Sequence, residues 1–128
     1  MRPINDIWIK VIPHDRQRYP TVGDWYEQDG TLFINVSAMS DWRYQVLVAV
    51  HELVETAICR QRGITQEAVD SFDLAFEKAR AEGNLDEPGD DPQAPYRREH
   101  FFATNVERLL ADQLGVDWDA YDREVATL

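Results

Sequence analysis

Apolar and polar residues alternate along the first third of the chain and recur at helical spacing after that. Residues 7–12, Ile-Trp-Ile-Lys-Val-Ile, are β-branched and aromatic and stop at Pro13, which predicts a strand. Residues 14–20 are polar and predict a loop. Residues 24–28 and 31–37 flank Asp29-Gly30, a dipeptide favoured in tight hairpin turns. Leu32, Ile34 and Val36 alternate with Thr31, Phe33 and Asn35, so one face of that strand is the more apolar. A strand and a hairpin are therefore predicted within residues 7–37.

From there the period becomes helical. Ser40 reads as an N-cap with Asp41 in the first turn, opening a helix over about 41–62 that stops at Gly63. A second helix is predicted over about 65–82, with Ala68, Val69, Phe72, Phe76 and Ala79 as its apolar stripe. Residues 83–95 form an acidic loop rich in Pro and Gly, and long irregular loops in compact domains are often functional or mobile. Residues 96–126 predict the C-terminal helices. The first of them ends at Gly115 and has Phe102, Val106, Leu109 and Leu110 as its buried side, and Asp117 caps the last. Strands followed by helices predict an α+β fold in a single domain, residues 1–128. A small, largely antiparallel sheet, the N-terminal strand plus the hairpin, would pack on three or four helices.

Composition narrows the function. With 44% apolar residues the chain can bury a core, so it is not a disordered tail. Its net charge of -11 argues against direct binding to nucleic acid, which needs Lys and Arg to displace counterions. The same charge argues against docking on an anionic membrane. It suits binding of a cation or of a basic protein partner. A lone cysteine, Cys59, allows no disulfide within the chain. No run approaches the roughly 20 apolar residues of a membrane span. Pro3, Asn5 and Asp6 stand where a signal peptide would carry its apolar run, so the expected compartment is the cytoplasm.

The candidate chemistry lies on the helix at 41–62. At 100° per residue, Val46, Leu47, Ala49, Val50, Leu53, Val54, Ala57 and Ile58 fill one broad apolar arc. His51 and Glu55, four apart, share the opposite stripe, with Glu52 beside them and Tyr44, Val48 and Cys59 on the same face. A fully solvated face would carry more Lys and Glu, so this one is expected to be half buried, as the wall of a cleft is. Two ligands at i and i+4 on a rigid helix can reach one metal ion, and a Glu next to the first can act as general base on a bound water. His-Glu-x-x-His is the familiar form; here Glu55 stands in the place of the second His. The same residues also make an ordinary polar helix face.

Further candidates lie downstream. If the next helix packs antiparallel through the Gly63-Ile64 turn, Asp73 can face the first helix, and Glu77 can hold His51 from behind. Both also read as exposed acids. Glu99 falls on the buried side of its helix and wants a partner. His100, on the border of that side, can be a third ligand or a donor to a developing oxyanion. Tyr96 can supply a hydroxyl nearby. Cys59 reads as packing, and His14 receives no role.

A hairpin, a helix with His51-Glu52-x-x-Glu55 and a second helix bringing Asp73 resemble the zincin-like metallopeptidases over roughly residues 31–80. In their gluzincin branch an acid on the following helix completes the metal site. The resemblance implies His51 and Glu55 as ligands, Glu52 as base, Asp73 as third ligand and Glu77 behind His51. The chain also resembles small uncharacterised bacterial and phage proteins that carry a His-Glu-x-x-Glu helix. Zinc is the first expectation, with Mn, Fe or Mg as alternatives because one His with two carboxylates is a harder donor set.

Three functions follow as expectations. The first is a metal-dependent hydrolase acting on a peptide or other amide bond, or a degenerate relative of one. The second is an acidic binding or inhibitor protein of phage type that imitates DNA to capture a basic partner. The third is a domain whose metal only ties its helices together.

Overall fold

The structure, a computed structural model, describes residues 2–128. Its elements in chain order are β1 (Asp6–Ile12), β2 (Gly23–Gln28), β3 (Thr31–Ser37), α1 (Trp42–Gln61), α2 (Gln66–Ala79), α3 (Arg97–Gln113) and α4 (Trp118–Thr127). Short 3-10 turns lie at His14–Arg16 and Pro88–Asp90, the second inside the acidic loop. The fold is α+β.

The sheet is mixed rather than antiparallel. Its order is β1-β3-β2; β2 and β3 form the antiparallel hairpin, and β1 runs parallel to β3. Asp29 and Gly30 both take positive φ, 51° and 81°, as a tight hairpin turn with the twist of its strands requires. The parallel pairing comes from the stretch between β1 and β2, which crosses the end of β3 and is pinned there. The Gln17 amide donates to the carbonyls of Val22 and Asn35 and to Ser37 Oγ, and His14 Nδ1 lies 2.8 Å from the same hydroxyl. Those bonds hold the crossing against the strand end, although Gln17 Oε1 itself finds no partner among the described residues, and β1 lies on the far side of β3.

Leu32, Ile34 and Val36 of β3 are buried under α1 together with Trp25, Leu47 and Val48. A Leu, Ile or Val fully withdrawn from water contributes roughly 1.5–3 kcal/mol. Caps set the helix entries. Asp41, not Ser40, caps α1 by accepting from the Arg43 N–H; the Ser40 hydroxyl instead bonds Glu124 of α4. Thr65 caps α2 and Asp117 caps α4.

Helix faces depart most from expectation. On α1 the fully buried stripe is Leu47, Val48, His51, Glu55, Thr56 and Cys59, whereas most of the apolar arc is half-buried and Val46 and Ala57 are exposed. On α3, Phe102 and Leu109 are exposed, and Glu99, His100, Ala103, Glu107 and Ala111 are buried. On α2, Val69 and Asp73 are buried, Phe72 and Phe76 half-buried, and Ala68 and Ala79 exposed. The reason is the pairing of α1 with α3. Ala103 and Ala111 keep the contact face of α3 low, so the helices approach closely and enclose the polar side chains between them. Those polar groups bond one another across the seam and so tolerate burial.

Candidate metal centre

Three ligand-type atoms converge in the α1–α3 seam. His51 Nε2 lies 3.1 Å from Glu55 Oε2 and 3.2 Å from His100 Nδ1, and His100 Nδ1 lies 2.9 Å from the same Glu55 oxygen. The helical i, i+4 relation brings His51 and Glu55 together; His100 arrives from the first turn of α3. A tetrahedral ion with ligands about 2.0–2.1 Å away holds them about 3.3–3.4 Å from each other. The triangle is within a few tenths of an ångström of that shape, so these residues fit a small divalent ion.

The surroundings orient this triangle. His51 Nδ1 lies 2.7 Å from Glu107 Oε1, and the other Glu107 oxygen accepts from the Tyr121 hydroxyl. A carboxylate on the far nitrogen fixes which nitrogen carries the proton and turns the other toward the triangle. Trp25 Nε1 donates to Glu55 Oε1 at 3.2 Å, leaving Oε2 for the centre. The four charged members are nearly sealed, with exposures of 6% for His51, 4% for Glu55, 5% for His100 and 7% for Glu107.

Without an ion, only protons can reconcile these atoms. Burial alone would lower the His51 pKa, but the carboxylates of Glu107 and Glu55 outweigh it and hold the ring well above its usual value. Burial also works against a charged His100, and Asp90, Glu55 and Glu87 again outweigh it. Burial would raise Glu55, yet the facing rings of His100 and His51 bring it down to about 2. The two rings stand at a 4.7 Å centroid separation, with Glu55 against both, Glu107 against His51, and Glu87 and Asp90 against His100. Two like charges at 4 Å repel by about 4 kcal/mol at the dielectric usual near protein groups. One divalent ion would put the same charge at a single point attracted to all three donors.

A cleft of about 620 Å³ opens onto the centre. Glu52 is half-buried on its wall and makes no side-chain hydrogen bond or ion pair among the described residues. Burial, followed by the neighbouring Glu55 charge, pushes its pKa well above the usual carboxylate range. Its backing is the bare Cα of Gly23. A Cβ there would lie 2.6 Å from Glu52 Oε1 and 2.8 Å from its Cγ, so β2 must carry glycine at this point.

The other candidates have different partners. Asp73 is buried but is not one of the converging ligands: it accepts from the Tyr19 hydroxyl at 2.9 Å and from the Tyr96 hydroxyl. Burial raises its pKa to about 7 despite both hydroxyls. Glu77 pairs with Arg80 at 2.7 Å, not with His51. The partner that buried Glu99 requires is Arg62, 2.5 Å away. Cys59 is buried core with its thiol pushed up to about 12 by burial and the nearby Glu55. Sequence reasoning missed Tyr19, Trp25, Glu107 and Tyr121. Glu107 had a usable signal, because it stands seven residues after His100 and so on the same stripe of α3.

The chain matches no known family model, no characterised protein and no solved structure. What the centre does therefore follows from its own residues.

Proposed function

We propose that the chain is a metal-dependent hydrolase domain of zincin type, with zinc the first choice of ion and a peptide or other amide bond as substrate. The observation that carries this reading is the closed triangle of His51, Glu55 and His100 beside an unpartnered Glu52 carboxylate on a cleft wall. Three protein ligands with a further position facing a cleft are the donor count of catalytic zinc sites, whereas structural sites close all four. Two imidazoles with one carboxylate suit zinc better than one His with two carboxylates. The following-helix acid of the gluzincin pattern, Asp73, is engaged with tyrosines, so the likeness to zincins rests on α1 alone.

A bound ion would supply Lewis acidity and lower the pKa of a bound water. The chain's own residues do the rest. Glu52, with no competing partner, accepts a proton from the attacking water and returns it to the leaving amine. Glu107 holds His51 in place from behind. The Tyr19 and Tyr96 hydroxyls on the cleft wall each give their one hydrogen to Asp73 and so hold that carboxyl away from the centre.

The test is metal content and amide hydrolysis of the parent and of Glu52→Gln. Retained metal with lost hydrolysis supports a base. Metal without hydrolysis in either protein leaves an ion that only ties helices. A parent protein that binds no divalent metal overturns the proposal. The acidic binding reading has its own support in the net charge of -11 and the half-exposed Ile7, Trp8, Ile9 and Val11 of β1. A basic partner released by salt would favour it.

A further inference from the structure

We propose that Glu87, Asp90 and the Nε2 of His100 form a second divalent-cation site, on the opposite edge of the ring from the first. The site does not require that the inner centre be catalytic, but it shares His100 with it. His100 Nε2 lies 3.1 Å from Glu87 Oε2 and 3.3 Å from Asp90 Oδ1. All three ligand atoms fall within 4.8 Å of one another.

The second observation is the nitrogen itself. His100 is only 5% exposed, and its Nε2 is fully sealed yet has no aligned hydrogen bond among the described residues. Two carboxylate oxygens stand beside it and neither takes its hydrogen in line. A buried polar atom left in that position calls for a partner, and an ion among the three donors is one. The loop is also built to stay there. Gly89 lies flat on the imidazole, and a Cβ on it would come 2.5 Å from the ring Nδ1 and 2.8 Å from Cδ2. Arg80, held by Glu77, donates to the carbonyls of Asn84 and Asp86 and so anchors the start of the loop. The side chains of Glu87 and Asp90 are 42% and 61% exposed, so an ion reaches the site from solvent without opening the core.

One nitrogen and two carboxylates suit zinc or manganese. With one ion in the inner centre, the lone pair of Nδ1 is used and the ring proton sits on Nε2. A second ion takes the place of that proton, which leaves to solvent, and the ring then bridges the two. Such an ion clamps the acidic loop against α3 at the rim of the cleft. That gives the loop a defined closed state in a segment otherwise crowded with like charges.

The experiment is a zinc titration of the full chain by equilibrium dialysis, repeated with manganese. It uses the parent, the double variant Glu87→Gln with Asp90→Asn, and His51→Ala. Circular dichroism checks that each is folded; the double variant changes only solvent-reachable side chains. The expected result is two equivalents in the parent, one in the double variant and one in His51→Ala. A single equivalent lost in the double variant and kept in His51→Ala supports the outer site while removing the inner one. An unchanged number of equivalents in the double variant overturns the outer site and leaves the inner one standing. A first equivalent that only weakens in the double variant overturns the outer site too, since Glu87 and Asp90 then merely position His100. No binding by the parent overturns both.

Discussion

β1 and the α1–α3 seam use burial in opposite ways. On β1, Ile7, Ile9 and Val11 lie on the sheet face that the helices cover further along, yet each is about half exposed. In the seam, two His and two Glu are all but sealed. Hydrophobicity alone would have reversed this. What differs is partnership. β1 is an edge strand, bonded only to β3 and half exposed along its length. The seam residues have a partner at nearly every polar atom, and burying charge is tolerable only on that condition. The contrast separates residues that the fold places from residues that the fold must hold.

The largest expected effect is therefore in the seam. His51→Ala leaves Glu55 and Glu107 buried without their shared ring. It should cost about 3–5 kcal/mol in urea unfolding, as removing one member of a buried charged pair does, and should abolish metal binding at the inner centre. Ile9→Ser on β1 should cost less than about 1 kcal/mol. Equal costs at the two sites would show that the seam is no more tightly coupled than the edge. Next in size is Glu52→Gln, expected to lower hydrolysis by about 10²–10⁴-fold while leaving metal content and unfolding midpoint close to the parent's.

Two pH effects follow, with opposite signs. Glu55 has a folded pKa of about 2 against an ordinary value of 4.5. In metal-free protein its contribution is present above pH 4.5 and is lost as pH falls toward 2, so stability should drop on acidification, and Glu55→Gln should flatten that drop. Asp73 is raised from 3.8 to about 7 by burial. Its contribution is present below pH 3.8 and is lost as pH rises through 7. Asp73→Asn should therefore gain on the parent as pH rises from 4 to 8, by on the order of 4 kcal/mol. Urea midpoints across pH check both. Gly23→Ala would set a Cβ 2.8 Å from Cγ1 of the buried Val48 as well as against Glu52. It should cost about 1–3 kcal/mol in urea unfolding, as overpacking does, and lower activity with it.

Much of this contrast can be read from the chain. His51 and Glu55 at i, i+4 on a face poor in Lys are visible as a stripe, and the hairpin is visible from Asp29-Gly30. His100 is legible only as a border residue, because its partner is set by how α3 lies on α1. Glu107 is hidden by the large apolar side chains that set the apparent period of α3. Phe102 and Leu109 dominate that pattern, but Ala103 and Ala111 define the contact. The parallel pairing of β1 is illegible for a similar reason. It depends on Gln17, His14 and Ser37 meeting across the end of β3, and no local period marks such a crossing.

The most direct test of the centre is X-ray absorption at the zinc edge on protein loaded with one equivalent of zinc. Four nitrogen or oxygen neighbours at about 2.0–2.1 Å, with the outer-shell pattern of two imidazoles, are expected. A shell of water oxygens without imidazole, or no retained zinc, would contradict a metal centre at His51, Glu55 and His100.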